Sequence, residues 1–374
     1  MAILGDSARI QDLAPATYSF LRTIAEGNTG ITGLYWHDLL QKQCVQKTIT
    51  VLGIADGVAQ SEPRLLELFN HPRLIKVREA QWDADYPASM KMITFITDYY
   101  EGESIHAALT SGHRFSTKDA LDITACILEG LAYLHATAGY VHRDIKPGNI
   151  MLDGSRSQGF VGDFGSAARM NLDSRSVSAS GGTLLYRPPE FASGEVDERG
   201  DLYSTGMTTF EMLNGPFDYA ALNQGALDRR AAEGRPTLGP SHLTPKPWVS
   251  PAVVGFVRKL MNPDPSRRFQ TADEALRTLR GLRYVSWSQV GPSEWIGVWP
   301  PRERASRQRQ LKVTVTPLTG RAQGQLELKS SWSRDGITWR GYARLTCRVG
   351  EDDVDALAGF FRTVESEAQS VPVR

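Results

Sequence analysis

Over the first hundred positions, apolar residues come in short runs rather than at helical spacing. Lys47-Thr48-Ile49-Thr50-Val51-Leu52 and Met92-Ile93-Thr94-Phe95-Ile96 are rich in β-branched side chains and predict strands. The stretch Tyr18 to about Asp98 therefore reads as short strands with one helix near Glu62 to Phe69, preceded by an arm over residues 1–16. The period changes at Ser116. Ala120, Ile123, Ile127, Leu131 and Leu134 recur at helical spacing up to about Thr137, with Ser116 as N-cap and Asp119 completing a box-like start. Helical patterns continue to about Leu282, broken by a long loop between Gly165 and Pro188.

Beyond Leu282 the pattern changes again. Trp287, Trp295 and Trp299 fall in a Gly- and Pro-containing connector, followed by the basic run Arg302, Arg304, Arg307 and Arg309. Leu311 to Thr316 alternates as a strand does, Gln325 to Ser331 and Ile337 to Val349 continue the theme, and Asp352 to Glu367 predicts an amphipathic helix. The expectation is a small β-β-β-α unit over residues 309–374 joined by a linker over 282–308. Trp332, Trp339 and Phe360 are expected in its core rather than on a binding surface.

Two sparse polar motifs carry the chemistry. His142-Arg143-Asp144-Ile145-Lys146-Pro147-Gly148-Asn149 places a lysine two positions and an asparagine five positions after an aspartate. Asp163-Phe164-Gly165 begins fourteen residues after Asn149, room for a short strand-turn-strand. The pair resembles the catalytic loop and metal-binding motif of eukaryotic-type serine/threonine protein kinases. The resemblance runs over about residues 17–281. It implies an α+β, two-lobed fold with a β-rich N-lobe (17–98) and a helical C-lobe (99–281).

On that resemblance Asp144 orients the substrate hydroxyl and accepts its proton, and Lys146 contacts the moving phosphoryl group. Asn149 and Asp163 hold Mg²⁺. Further features fit kinases that receive polypeptides: Gly182-Thr183 with Tyr186, then Pro188-Pro189-Glu190, with Pro188 where alanine is usual. Asp201-Leu202-Tyr203-Ser204-Thr205-Gly206 resembles the start of the central helix whose aspartate steadies the catalytic loop. Asp264-Pro265-Ser266-Arg267-Arg268 resembles the late motif whose arginine, here Arg268, pairs with Glu190. Arg143 resembles the arginine that often neutralises a phosphate on the activation segment, which here supplies Ser174, Ser176, Ser178, Ser180 and Thr183. Thr183 is expected to position substrate.

The N-terminal lobe matches less closely. Lys47 lies where the nucleotide-binding lysine follows a glycine-rich hairpin, with Lys42 as competitor and Glu62 as the helix partner. The family's Gly-x-Gly-x-x-Gly is replaced by Gly27, Gly30 and Gly33, a shifted register. Thr97-Asp98-Tyr99-Tyr100 fits the hinge, where backbone groups of Asp98 and Tyr100 meet adenine.

Composition narrows the partners. Lys plus Arg equals Asp plus Glu at 42 each, which gives no hint of nucleic acid or an anionic membrane. Cys44, Cys126 and Cys347 are too widely spaced for a metal pair or disulfide framework, and a reducing cytosol is their simplest home. The N-terminus carries Asp6 and Arg9 without a long apolar core, unlike a signal peptide, and no membrane span is expected. The leading expectation is a cytoplasmic serine/threonine protein kinase that uses ATP and Mg²⁺, acts on protein, and is capable of autophosphorylation. Its C-terminal domain would have a partner of its own. Two other readings stand beside it: a pseudokinase scaffold that binds nucleotide or partner proteins, motivated by the shifted glycines, and a small-molecule kinase.

Overall fold

The computed structural model describes residues 17–27, 30–50, 65, 67–83, 87–171, 173–299 and 309–370. They fall into two compact units, residues 1–101 and 102–374. The first is built on one antiparallel sheet: β1 (Tyr18–Gly27), β2 (Gly30–His37), β3 (Lys42–Thr50), β4 (Val77–Trp82) and β5 (Met92–Asp98), in the order β1-β2-β3-β5-β4. The expected strands at Lys47 and Met92 are β3 and β5. Both are lined by β-branched residues, and Thr48 and Thr94 share a buried hydroxyl–hydroxyl bond of 2.7 Å between them. Of the helix expected near Glu62 to Phe69, Leu65, Glu67 and Leu68 are described and are helical; Glu62 and the 1–16 arm lie outside the described residues.

In the second unit the capped helix is α2 (Thr117–Tyr133), preceded by α1 (Ile105–Thr110). Ser116 Oγ accepts from the Asp119 amide at 3.0 Å and donates to its carboxylate at 2.6 Å, so the expected cap forms. A wider turn, Leu134–Ala138, ends the helix at Gly139, whose left-handed φ of 75° reverses the chain. Short ladders follow: β6 (Tyr140–Val141) pairs with β9 (Ala168–Arg169), β7 (Ile150–Leu152) with β8 (Gly159–Val161), and β10 (Val177–Ser178) with β11 (Glu195–Val196). The strand-turn-strand expected between the two motifs is the β7–β8 hairpin. The central helix α3 (Glu198–Asn214) is buried almost all round from Gly200 to Leu213. Gly206 lets it approach α5 (Pro251–Leu260) closely, since a Cβ there would lie 2.6 Å from Met261 and 2.8 Å from Leu260. Helices α4 (Gln224–Ala232) and α6 (Ala272–Gly281) complete this part, with α6 packed along α2.

The C-terminal region corrects the linker expectation. Residues 286–299 are no connector: β12 (Ser286–Gly291) and β13 (Glu294–Trp299) lead β14 (Arg309–Pro317), β15 (Gln325–Ser333) and β16 (Arg340–Gly350) in a five-stranded antiparallel meander. Helix α7 (Val354–Ser370) follows it, and Phe360, Phe361, Val364 and Ala368 share a core cluster with the sheet. The glycine that suggested a breaker has a packing role. A Cβ on Gly297 would sit 2.8 Å from the Trp287 ring and 2.7 Å from Val285.

This sheet also shares its core with the rest of the unit. Trp248 packs on Trp295 at 5.1 Å, Lys118 N–H donates to Ser286 Oγ at 3.0 Å, and Ser250 Oγ donates to the buried Glu365 at 2.5 Å. The core expectation is met by Phe360, whereas Trp332 and Trp339 are only half-buried. No helix among the described residues is long and apolar enough to cross a membrane.

Candidate active site

The loop 142–149 is held from beneath by one buried carboxylate. Asp201, 1% exposed in the first turn of α3, accepts the amide N–H of His142 through Oδ2 and that of Arg143 through Oδ1, each at 2.8 Å. His135 Nε2 reaches the same Oδ2 at 2.8 Å from the wide turn after α2. Burial pushes the Asp201 carboxyl up, but the His135 hydrogen bond and charge, with His142, outweigh it and hold the group below its ordinary range. This clamp keeps Arg143 in a left-handed conformation, φ 67°, that a long side chain rarely adopts.

The turn so fixed gathers four polar side chains. Asp144 Oδ2 accepts from Lys146 Nζ at 2.8 Å and Asn149 Nδ2 at 3.0 Å. Asp144 Oδ1 accepts from the Thr183 amide at 2.8 Å and its hydroxyl at 2.9 Å. Lys146 also donates to Thr183 Oγ1 at 2.7 Å. A second bond from Asn149 Nδ2, to the Asp144 carbonyl at 2.8 Å, commits the amide nitrogen and leaves Oδ1 as the atom that can meet a cation.

The β7–β8 hairpin then returns the chain beside Asn149. Gly162 N–H donates to the Asn149 carbonyl at 2.9 Å, and His142 Nε2 donates to the Gly162 carbonyl at 3.0 Å. Asp163 comes next, exposed and with a positive φ of 58°, while Phe164 is buried against the His142 ring at 4.9 Å. Spacing that looks arbitrary in the sequence is thus the length of one hairpin. Among the described residues no three His, Cys, Asp or Glu side chains cluster as a metal site. An oxygen pair such as Asn149 and Asp163 suits Mg²⁺, which is held by few protein ligands together with substrate phosphates.

The rest of the segment is anchored as a platform. Arg143 donates to the Ser166 and Ser178 carbonyls at 2.5 and 2.6 Å and to Ser180 Oγ at 2.8 Å. Arg268, 2% exposed, grips Glu190 through two parallel 2.6 Å bonds and also donates to the carbonyls of Asn262 and Arg199. Tyr186 OH donates to the buried Glu211 on α3 at 2.7 Å.

A protein kinase domain model matches residues 18–279. The chain belongs to the protein kinase family. A probable serine/threonine-protein kinase of Streptomyces coelicolor is 32% identical over 258 residues, 66% of this chain and 37% of that protein. The serine/threonine-protein kinase PksC of the same organism is 30% identical over 313 residues, covering 77% of this chain and 55% of the relative. Serine/threonine-protein kinase pkn2 of Myxococcus xanthus is 34% identical over 222 residues, covering 57% and 25%. The chain therefore spans between a quarter and just over half of these relatives' lengths.

Within the kinase domain's first unit, Gly27 and Gly30 are cross-strand partners at the end of the β1–β2 hairpin. Gly33 sits lower, opposite Thr23, where a Cβ would lie 2.8 Å from the Tyr35 ring and 3.3 Å from Phe20. Lys47, half-buried on β3, has its ammonium 5.7 Å from the centre of the Phe95 ring. Its competitor Lys42 is committed to Asp98 at 3.2 Å. Burial raises the Asp98 carboxyl, but hydrogen bonds from Arg78 and Lys42 leave it below the usual range. Burial, with the nearby Asp98 charge, pushes the Tyr100 phenol up to about 12, so it stays neutral. Glu62 lies outside the described residues. Sequence reasoning missed His135. Its signal was present: Leu131, Leu134 and His135 share one helical face at i, i+3 and i+4, so a histidine there needs a buried partner.

Proposed function

We propose that this chain is an ATP-dependent serine/threonine protein kinase that acts on protein hydroxyls, itself included, in the cytoplasm. The observation that carries the reading is the Asp144 carboxylate, bonded by Lys146, Asn149 and Thr183 and fixed from below by Asp201. Asp144 orients the incoming hydroxyl and accepts its proton. The Lys146 ammonium, two residues away on the same turn, offsets charge on the phosphoryl group in transit. Asn149 Oδ1 and the Asp163 carboxylate supply oxygen ligands for Mg²⁺, which when bound neutralises charge between the β- and γ-phosphates. Lys47, with Glu62, holds the α- and β-phosphates, the hairpin glycines Gly27, Gly30 and Gly33 give backbone amides room to approach them, and the Asp98–Tyr100 backbone takes adenine. Thr183 ties the activation segment to Asp144 and so couples substrate placement to the catalytic turn. Phosphate added to the serines at 174–180 would compete for Arg143, which spans Ser166, Ser178 and Ser180 in the unphosphorylated chain.

The test is transfer of labelled phosphate from Mg-ATP to the chain and to an added protein, comparing wild type with Asp163→Ala. Label in the wild type and none in the variant is the expected result. Full activity in Asp163→Ala would overturn the metal assignment. Nucleotide binding without transfer by the wild type would point to the scaffold reading instead.

A further inference from the structure

We propose that Arg309, Arg334 and Arg340, gathered around Trp332 on the C-terminal sheet, form a docking site for a phosphorylated protein segment. The three guanidinium groups lie 4.9, 5.9 and 5.5 Å from the centre of the one indole ring. They arrive from separate places in the chain. Arg340 on β16 is the cross-strand partner of Trp332, and Arg309 lies two residues before Leu311, the partner of Trp332 on β14. Arg334 follows Trp332 by two positions in the turn that leaves β15. Trp332 itself is half-buried and packs against the sheet's core, so it is a fixed platform.

Three like charges around one ring repel one another, and their surroundings do not cancel them. Among the described residues none of the three arginines has an acidic partner. Elsewhere on the same sheet Lys312 is paired with Glu294 at 2.9 Å and Lys329 with Glu327 at 2.6 Å. The neighbouring carboxylate, Asp335, forms no ion pair with them; its Oδ1 is turned into its own loop, accepting from the amides of Ile337 and Thr338 and the hydroxyl of Ser333. The chain as a whole carries 42 basic and 42 acidic residues, so this local excess does not follow from composition.

Stacking on an indole orients a guanidinium plane while leaving its N–H edges to an anion. A phosphate monoester offers nearly two charges and three acceptor oxygens, which suits several arginine forks better than a single carboxylate does. A nucleic-acid strand would need basic residues that track a repeating backbone, whereas these three guanidinium groups converge on one ring. The segment class, phosphoserine or phosphothreonine peptide, rests on the kinase reading above, since such residues are its products.

The experiment uses the full chain without ATP and measures anisotropy of three fluorescein-labelled probes. They are a degenerate phosphoserine peptide pool, the same pool unphosphorylated, and an oligouridylate of equal length. The phosphopeptide pool should bind at least about tenfold more tightly than its unphosphorylated counterpart. The double variant R334Q/R340Q, which alters exposed side chains, should lose that preference with an unchanged melting temperature. Equal affinity for the two peptide pools, tighter binding of the oligouridylate, or an unaltered double variant would each overturn the proposal. Phosphoryl transfer without phosphopeptide binding would reject the docking site alone, and binding without transfer would reject the kinase reading alone.

Discussion

Asp201 and Glu365 are both buried carboxylates that gather hydrogen-bond donors from two parts of the chain, but their surroundings differ. Asp201 collects the backbone amides of His142 and Arg143 and the ring of His135. Glu365 collects the Ser250 hydroxyl, the Val285 amide at 3.3 Å and the Gln369 side chain at 3.0 Å, joining α7 to α5 and the start of the C-terminal sheet. A potential cation lies beside the first and none among the donors of the second. The Asp201 carboxyl consequently sits below its ordinary range, whereas burial lifts Glu365 above its own despite three neutral donors. A charge that must hold two consecutive amides in a strained turn is kept ionised. One that joins two packed layers need not be.

The largest break in this comparison is Asp201→Ala. It leaves the His142 and Arg143 amides and His135 without their acceptor, and loss of a buried ionic partner costs about 3–5 kcal/mol. Chemical denaturation should show that loss, together with abolished phosphoryl transfer. Gly297→Ala attacks the C-terminal side. Overpacking against Trp287 and Val285 should cost about 1–3 kcal/mol. Because this sheet shares its core with Trp248, the whole second unit should melt at a lower temperature in one transition. A separate low-temperature transition confined to the sheet would contradict the shared core.

The pH dependences should run in opposite directions. Between its depressed folded value and its unfolded value, Asp201 is ionised in the native chain and protonated in the unfolded one. Its contribution is therefore complete above about pH 4 and lost on further acidification. Glu365 is the reverse: above about pH 4 the unfolded chain releases a proton that the native one keeps, so its contribution falls as pH rises through the elevated folded value. Glu365→Gln retains a hydrogen-bonding oxygen and removes the titration. It should change stability at pH 4 by less than about 1 kcal/mol and flatten the decline above about pH 4. An unchanged slope in that variant would assign the decline to other groups.

What could be read from the sequence follows the range of the interactions. Asp144, Lys146 and Asn149 were legible because one turn brings them together, and their spacing is the geometry of that turn. Asp163 was legible because a single hairpin joins it to Asn149. His135 was passed over because its partner is 66 residues away on α3. The tryptophans at 287, 295 and 299 read as a connector because Gly291-Pro292 and Gly297 look like breakers. In the fold, Gly291 ends β12 and Pro292 turns the chain into β13, and Gly297 makes room for an aromatic ring from the neighbouring strand. The alternation Trp295-x-Gly297-x-Trp299 was the signal that these residues share a buried face. Of the arginines around Trp332, Arg309 ends the basic run that starts at Arg302, but nothing local joins it to Arg334 and Arg340, since three separate stretches of the chain supply them.

The most direct measurement is phosphoamino-acid analysis of the chain and an added protein after incubation with labelled Mg-ATP, for wild type and Asp144→Asn. The account predicts label on serine and threonine only, reduced on the order of 10²–10⁴-fold in the variant. Label on tyrosine, or undiminished label in Asp144→Asn, would contradict it.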